Sequence, residues 1–203
     1  MQVSNDCRCL ARLLPLLLAG LLLPAVAAAE DAAKPAATKD VKVGDITLTV
    51  PEDWKETEPT SRLRLAQFAV PGAEGDETPT EVVVFFFGGA GGGADANIKR
   101  WIGQFESEGR KVKVMSGKSE QGPYIIAELA GTWKMPVGPP VLRKTKAVPG
   151  AKMQSVILAV ADRGNYFIRL TGPEKTVSSL DGAFRRSFGG DAKQEKEYEL
   201  DGE

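Results

Sequence analysis

Between positions 129 and 161 the chain carries no Asp or Glu, while Lys134, Arg143, Lys144, Lys146 and Lys152 supply five positive charges. Within that run lies WKMPVGPPVLRKTK, where Trp133, Met135, Val137, Pro139 and Pro140 set apolar surface and ring-locked backbone among the cations. A proline-stiffened loop of this kind orders at low entropic cost. Trp133, Lys134, Pro139, Pro140, Arg143, Lys144 and Lys146 therefore form a candidate contact loop for an acidic protein, an anionic wall polymer or a lipid headgroup. The same residues also read as a core tryptophan followed by a solvated hairpin edge, where lysines guard against strand-to-strand aggregation. Both readings stay open.

A second stretch has the form of a phosphate site. In FFFGGAGGGADANIKRW, residues 85–101, an apolar run enters a glycine cluster and then a helix, and residues 89–94 fit G-x-G-x-x-A. The fit weighs little in a chain with 22 glycines. A dinucleotide fingerprint also needs a parallel βαβ unit and an acid about 20 residues on, yet the neighbouring strands read as antiparallel. A P-loop needs Lys and Ser/Thr after its last glycine, where this chain has Ala94 and Asp95. The expectation is a flexible strand-to-helix connection, with Asp95 capping the helix and facing its dipole.

The catalytic inventory is short. There is no histidine, and the only cysteines are Cys7 and Cys9. Ser-His-Asp and Cys-His catalysis, the usual zinc sets and an ordinary pH switch are thereby removed. Glu106 and Glu108 stand two apart on a helical pattern, so they point to different faces and make no acid/base pair. Ser116, Lys118 and Ser119 match no serine-lysine motif. Glu195, Glu197, Glu199 and Asp201 alternate and can collect calcium loosely, but no turn glycine fixes a loop around them. Arg62 and Arg64 share one strand face, either outward into water or toward an anion. Trp54 and Trp101 read as core or lid residues. No catalytic constellation, covalent cofactor or metal site is expected.

The elements that would position these residues follow from pattern. Arg8 and Arg12, the apolar residues 13–23, and Ala27 and Ala29 at the peptidase positions compose a cleaved signal peptide over residues 1–29. The apolar run falls short of the roughly 20 residues of a membrane span. No cysteine follows, so the usual lipid-attachment site is missing, and the mature chain is expected to be secreted or periplasmic. Removing Arg8, Arg12 and Asp6 from 26 bases and 27 acids leaves 24 against 26, without the basic excess of a nucleic-acid binder.

Residues 30–40 read as a flexible Ala/Lys/Pro leader. Residues 189–203, with six acids and two lysines, read as a solvated, disordered tail. Residues 41–188 are then one domain. Strand alternation marks residues 46–50, and a change of parity after Leu63 and Leu65 toward Phe68 and Val70 points to a bulge. EVVVFFF, residues 81–87, is expected as a central strand. Further strands are expected at 111–115, 124–133, 153–160 and 166–170. Ile98, Trp101, Ile102 and Phe105 make one helical stripe ending at Gly109, and Val177, Leu180, Phe184 and Phe188 make another after Pro173. Strands joined by short turns imply a largely antiparallel sheet with helices packed on it, an α+β domain.

VPEDW, RLRLAQF, VVVFFFGG, ANIKRWIGQF, AELAGTW and YFIRLTGPEKTV, spread over about residues 44–188, resemble a family of small secreted bacterial proteins of unassigned function with a PsbP-like α/β/α sandwich fold. That sandwich is known from an extrinsic subunit of the photosynthetic oxygen-evolving complex and from a Ran-binding nuclear import factor. The resemblance implies the fold and, by analogy, an exported non-catalytic binding or accessory protein of the cell envelope. The partner would be an envelope protein or an anionic polymer, not nucleic acid. The motifs are packing motifs, so no site residue is carried over. Two alternatives remain, a carboxylate-dependent hydrolase of an envelope polymer and a structural envelope component. The hydrolase requires two carboxyls facing one cleft.

Overall fold

Apolar alternation in this chain produces two buried strand faces at once, so the sheet must be covered on both sides. A computed structural model describes residues 37–89, 91–138 and 140–201, with Pro140 described by its backbone alone. The expected signal peptide over residues 1–29 and residues 30–36 of the expected leader lie outside the described residues.

The strands are β1 (Thr38–Val43), β2 (Ile46–Pro51), β3 (Lys55–Thr57), β4 (Arg64–Val70) and β5 (Thr80–Phe86). Helix α1 (Ala94–Ile102) follows, then β6 (Lys111–Ser119), β7 (Gly122–Pro136), β8 (Thr145–Val160) and β9 (Gly164–Pro173). Two short helices, α2 (Glu174–Ser179) and α3 (Asp181–Ser187), lead to β10 (Lys196–Glu197). Strands β10, β6, β7, β8, β9, β5, β4 and β3 form one sheet in that order, antiparallel throughout. Strands β1 and β2 pair as a separate hairpin. The fold is α+β with a large antiparallel sheet, as the pattern implies, and EVVVFFF lies between β4 and β9.

One face of the sheet packs against the β1–β2 hairpin, α2 and α3. Leu48, Val50, Trp54, Phe68, Ile126, Val156, Leu158, Ile168, Phe184 and Phe188 are all fully buried there. On the opposite face α1 lays Ile98 and Trp101 over Leu129, Met153 and Phe167. Burying one such side chain contributes roughly 1.5–3 kcal/mol, so both faces hold the fold. Trp54 and Trp101 are core residues, at 0% and 2% exposure. No helix among the described residues is long and apolar enough to cross a membrane.

Several local expectations are corrected. The leader ends earlier than position 40, because Thr38, Lys39 and Asp40 pair with Pro51, Val50 and Thr49. The stripe at 98–105 is helical only to Ile102, Gly103 closes it, and Gly109 lies in the following loop. The second stripe is two helices, broken at Leu180. The tail is not a free acidic segment. Residues 191–201 fold back on β6, with β10 pairing Ser116 and Met115, and Tyr198 donating its backbone N–H to the Val114 carbonyl at 3.0 Å. Composition misleads there because one tail acid, Glu195, is only 1% exposed and holds a buried arginine.

Candidate functional site

Strands β7 and β8 are the longest in the molecule, and they outrun their neighbours. β9 stops pairing with β8 at Ala151, so residues 133–136 and 145–148 pair with each other beyond the rest of the sheet, with Trp133 also bridging Phe105 at the base. The segment read from sequence as a loop is thus a two-stranded arm with a short tip. A register shift between Gly131 and Trp133 bends the arm at its base. Glu106 and Lys134 fix that base through backbone bonds to the Thr132 and Gln104 carbonyls, at 2.9 and 2.8 Å.

The arm separates the seven candidate residues into two groups. Trp133 and Lys134 stay at the base, partly buried. Arg143 and Lys144 are exposed at the tip, beside Val141 and Leu142, which are 84% and 54% exposed, and Lys146 is exposed further down the arm, across from Met135. Arg143 sits at φ +48°, a left-handed conformation that costs a non-glycine residue of order 1 kcal/mol. Pro139 lies outside the described residues. Pro140 opens the short helical turn Pro140–Leu142 at the tip. Lys152, the fifth cation of the acid-free run, leaves the group, because its amine meets Glu128 at 3.5 Å on another part of the sheet.

The base of the arm forms one wall of a cleft of about 670 Å³. Trp133, Lys134, Met135, Pro136 and Thr145 make that wall, and Gly103 and Gln104 after α1 make another. Val83, Phe85, Arg64, Glu81, Arg169 and Thr171 make the floor. Arg64 donates to Glu81 at 2.9 Å and to Gln67 at 2.8 Å. The strand alternation had left Arg62 and Arg64 on one outward face. The bulge between Arg64 and Ala66 instead turns Arg64 onto the sheet and leaves Leu63 and Leu65 exposed.

Arg169 meets a different environment. Its Nε donates to Ser155 Oγ at 3.2 Å, its Nη1 reaches Gln104 Oε1 at 3.5 Å, and its guanidinium lies 5.9 Å from the Trp101 ring centre. No carboxylate lies within ion-pair distance of it among the described residues. Burial, with Arg100 and Arg64 nearby, pushes it down to about 10. The Trp133 indole N–H is also buried without a partner. Glu81 is the one carboxylate in this cleft and is paired with Arg64, so the cleft holds no acid/base pair of the kind a glycosidase uses.

On the other face Arg185, 3% exposed, contacts three carboxylates. It meets Glu195 at 2.8 and 3.0 Å, Glu128 at 2.7 Å, and Asp181. Burial alone would lower its pKa, but Glu195, Glu128 and Asp181 outweigh that and hold it above its ordinary value. Burial would likewise raise Glu128, yet Arg185 and Lys152 keep it below its ordinary 4.5. The Tyr124 hydroxyl donates to Glu195 at 3.1 Å, and burial together with that carboxylate pushes the phenol up to about 12. The alternating tail acids therefore do not converge. Glu195 serves Arg185, and no three acids among the described residues are grouped to hold a metal.

The glycine cluster packs closely against β9. Gly91, at φ +62°, lies where a Cβ would come within 2.6 Å of the Phe167 ring. A Cβ on Gly164 would come within 2.1 Å of the Gly89 carbonyl oxygen. The helix cap differs from expectation. Asn97 donates to the Gly91 and Gly93 carbonyls at 3.2 and 2.9 Å. Asp95 accepts instead from the Tyr198 hydroxyl at 2.7 Å and the Asp201 N–H at 2.8 Å, which hold its carboxyl below the usual 3.8.

Sequence reading missed Arg169, Gln104 and the cleft they share with Trp133. A signal was present, since Arg169 stands between Ile168 and Leu170 in an otherwise apolar strand. An arginine there must either pair or face an opening.

The chain is thus an antiparallel α+β domain with a cationic, aromatic-walled cleft beneath a projecting arm. No family model and no curated protein matches it. Among solved structures it is similar to cyanobacterial PsbP (CyanoP) from Synechocystis sp. PCC 6803, with TM-score 0.43 and 13% identity over 82% of this chain and 96% of that one. It is also similar to the Ran-binding protein Mog1p of Saccharomyces cerevisiae, with TM-score 0.41 and 13% identity over 72% of this chain and 83% of that one. Both likenesses are of fold alone, and neither says what this chain binds.

Proposed function

We propose that this chain is an exported, non-catalytic binding protein of the cell envelope, and that it engages an acidic partner protein through the tip of the β7–β8 arm. The observation that carries this reading is the composition of the tip. Val141 and Leu142 stand out in water beside Arg143 and Lys144, with Lys146 further down the arm, and none of these three cations has an ion-pair partner among the described residues. Two exposed aliphatic side chains cost solvation free energy in the free protein and gain it back against a partner. The surrounding cations steer an acidic surface toward them.

Beyond Trp133 and Val148 the arm contributes no buried core residue among the described residues, so selection for stability alone gives little reason for its length. Export is supported by the sequence of residues 1–29, and fractionation with N-terminal sequencing tests it, with a mature start at Glu30 expected. For binding, the chain from Glu30 serves as bait in a native envelope extract, beside an Arg143→Glu, Lys144→Glu, Lys146→Glu variant. A protein retained by the first and released by the second supports the arm as the contact surface. A protein retained equally by both places contact elsewhere.

A further inference from the structure

The cleft at the base of the arm has a chemistry separate from the tip. Its floor offers one guanidinium, on Arg169, that pairs with no carboxylate among the described residues. The group is held in place all the same. Ser155 takes the Nε hydrogen at 3.2 Å, and Trp101 lies beside the guanidinium. Gln104 approaches Nη1 at 3.5 Å, and no hydrogen bond among the described residues occupies Nη2. An arginine fixed by its neighbours and still lacking an anion has paid the ordering cost of binding in advance.

The other charges narrow the choice. Arg64 is committed to Glu81 at 2.9 Å, so it screens the cleft without offering a free fork. Lys134 stands on the opposite wall. Arg100 bonds Asn97 and lies with Phe87, Trp101 and Phe167 in an adjoining hollow of about 170 Å³. Nη2, with the Nη1 hydrogen that Gln104 does not take, can receive one carboxylate end-on. Beyond it the walls are Val83, Phe85, Trp133, Met135 and Pro136, which suit a flat apolar body and offer little to a fully solvated inorganic anion. The Trp133 indole N–H is buried behind that wall without a partner among the described residues, so Trp133 meets the cleft with its apolar ring surface.

The geometry points to a binding site for an organic carboxylate carrying an aromatic or aliphatic body, with the carboxylate on Arg169 and the body between Trp133, Met135 and Phe85. The site would give the protein a small-molecule ligand in addition to any macromolecular partner. It stands on residues that the tip variant leaves intact, so either can fail without the other.

Phenylacetate is a suitable probe, with phenylacetamide as its uncharged twin and inorganic phosphate as the bare anion. Indole N–H resonances of the full-length mature chain report position, because Trp133 and Trp101 border the site while Trp54 is buried on the other face of the sheet. The expected result is saturable movement of the Trp133 and Trp101 signals with a midpoint near or below about 1 mM, ordinary for a ligand of about ten heavy atoms. Trp54 should not move, and phenylacetamide should bind at least tenfold more weakly. Arg169→Met should weaken phenylacetate at least tenfold. Met135→Glu, placed on the wall rather than the floor, should do the same by giving Arg169 an internal carboxylate. Its fold is checked by the unmoved Trp54 signal. Absence of saturation by about 20 mM, equal binding of acid and amide, or unchanged binding in a folded Met135→Glu variant would each overturn the site. Phosphate displacing phenylacetate at equal concentration would overturn the carboxylate assignment.

Discussion

Two arginines pack against opposite faces of this sheet, Arg185 from α3 and Arg169 from β9, and they are treated in opposite ways. Arg185, on the helix-covered face, gathers Glu195, Glu128 and Asp181. Arg169, on the face that α1 covers only in part, gathers a hydroxyl, an amide and an indole ring. The consequence appears in their protonation. The first is held above its ordinary pKa by its carboxylates, and the second is pushed down to about 10 by burial and by Arg100 and Arg64. A buried charge is tolerated where the chain supplies a counter-charge, or where an opening lets solvent or a ligand supply one. The same residue type therefore serves as an anchor on one face and as an open donor on the other.

The sharpest way to break the comparison is to remove each arginine. Arg185→Met strands Glu195 without a cation and leaves Glu128 only Lys152, and removing one partner of a buried pair typically costs about 3–5 kcal/mol. Urea unfolding should show a loss of that order, accompanied by release of residues 191–201. Acid should reproduce part of it. Glu128 is held below its ordinary 4.5, chiefly by Arg185 against the opposing effect of burial, so its contribution is present above that pH and disappears as pH falls through the depressed value. Asp95, held below 3.8 by Tyr198 and the Asp201 amide, acts in the same direction. Unfolding midpoints measured from pH 6 down to about pH 3 should therefore fall, and Glu128→Gln should flatten the slope. A midpoint independent of pH over that interval would deny Arg185 its anchoring role.

Arg169→Met should behave differently. It removes an unpaired cation and keeps an apolar stem over Trp101, so the expected change in stability is below about 1 kcal/mol and can be favourable. A loss as large as that of Arg185→Met would mean that Arg169 holds the fold, and the contrast between the two faces would fail.

How much of this was legible depended on the distance over which each contact acts. Val82, Val84, Ile98 and Trp101 announced their faces through spacing, because strand and helix periods are local. The bulge near Arg64 showed in the shift from Leu63 and Leu65 to Phe68 and Val70, though not the turning of Arg64 toward Glu81. The Arg185 cluster joins residues 57 positions apart in β7 and α3, and the tail reaches Asp95 from 106 positions away. No window along the chain contains both partners. The tail's composition argued for disorder because acids are usually solvated, and one buried cation reversed that for Glu195. The contact loop was legible as a cationic, apolar stretch. Its division into a base lining a cleft and a free tip depended on where β9 stops pairing, which the sequence of β7 and β8 does not encode.

The smallest stability effect belongs to the arm tip, and there the comparison extends from faces to edges. Arg143, Lys144 and Lys146 are exposed and make no ion pair among the described residues, so reversing all three to Glu breaks no ion pair there. Exposed substitutions of this kind stay within about 0.5 kcal/mol each, and thermal melting should shift by a few degrees at most. Arg143→Gly is expected to raise stability slightly, because glycine adopts φ +48° without the side-chain clash that arginine meets there. If binding of an acidic partner selected Arg143 despite that cost, Arg143→Gly will melt no earlier than the parent and yet capture less of the partner. Should the glycine variant capture as well as the parent, the strained arginine has no part in the contact, and Lys144 and Lys146 alone would carry the tip's charge.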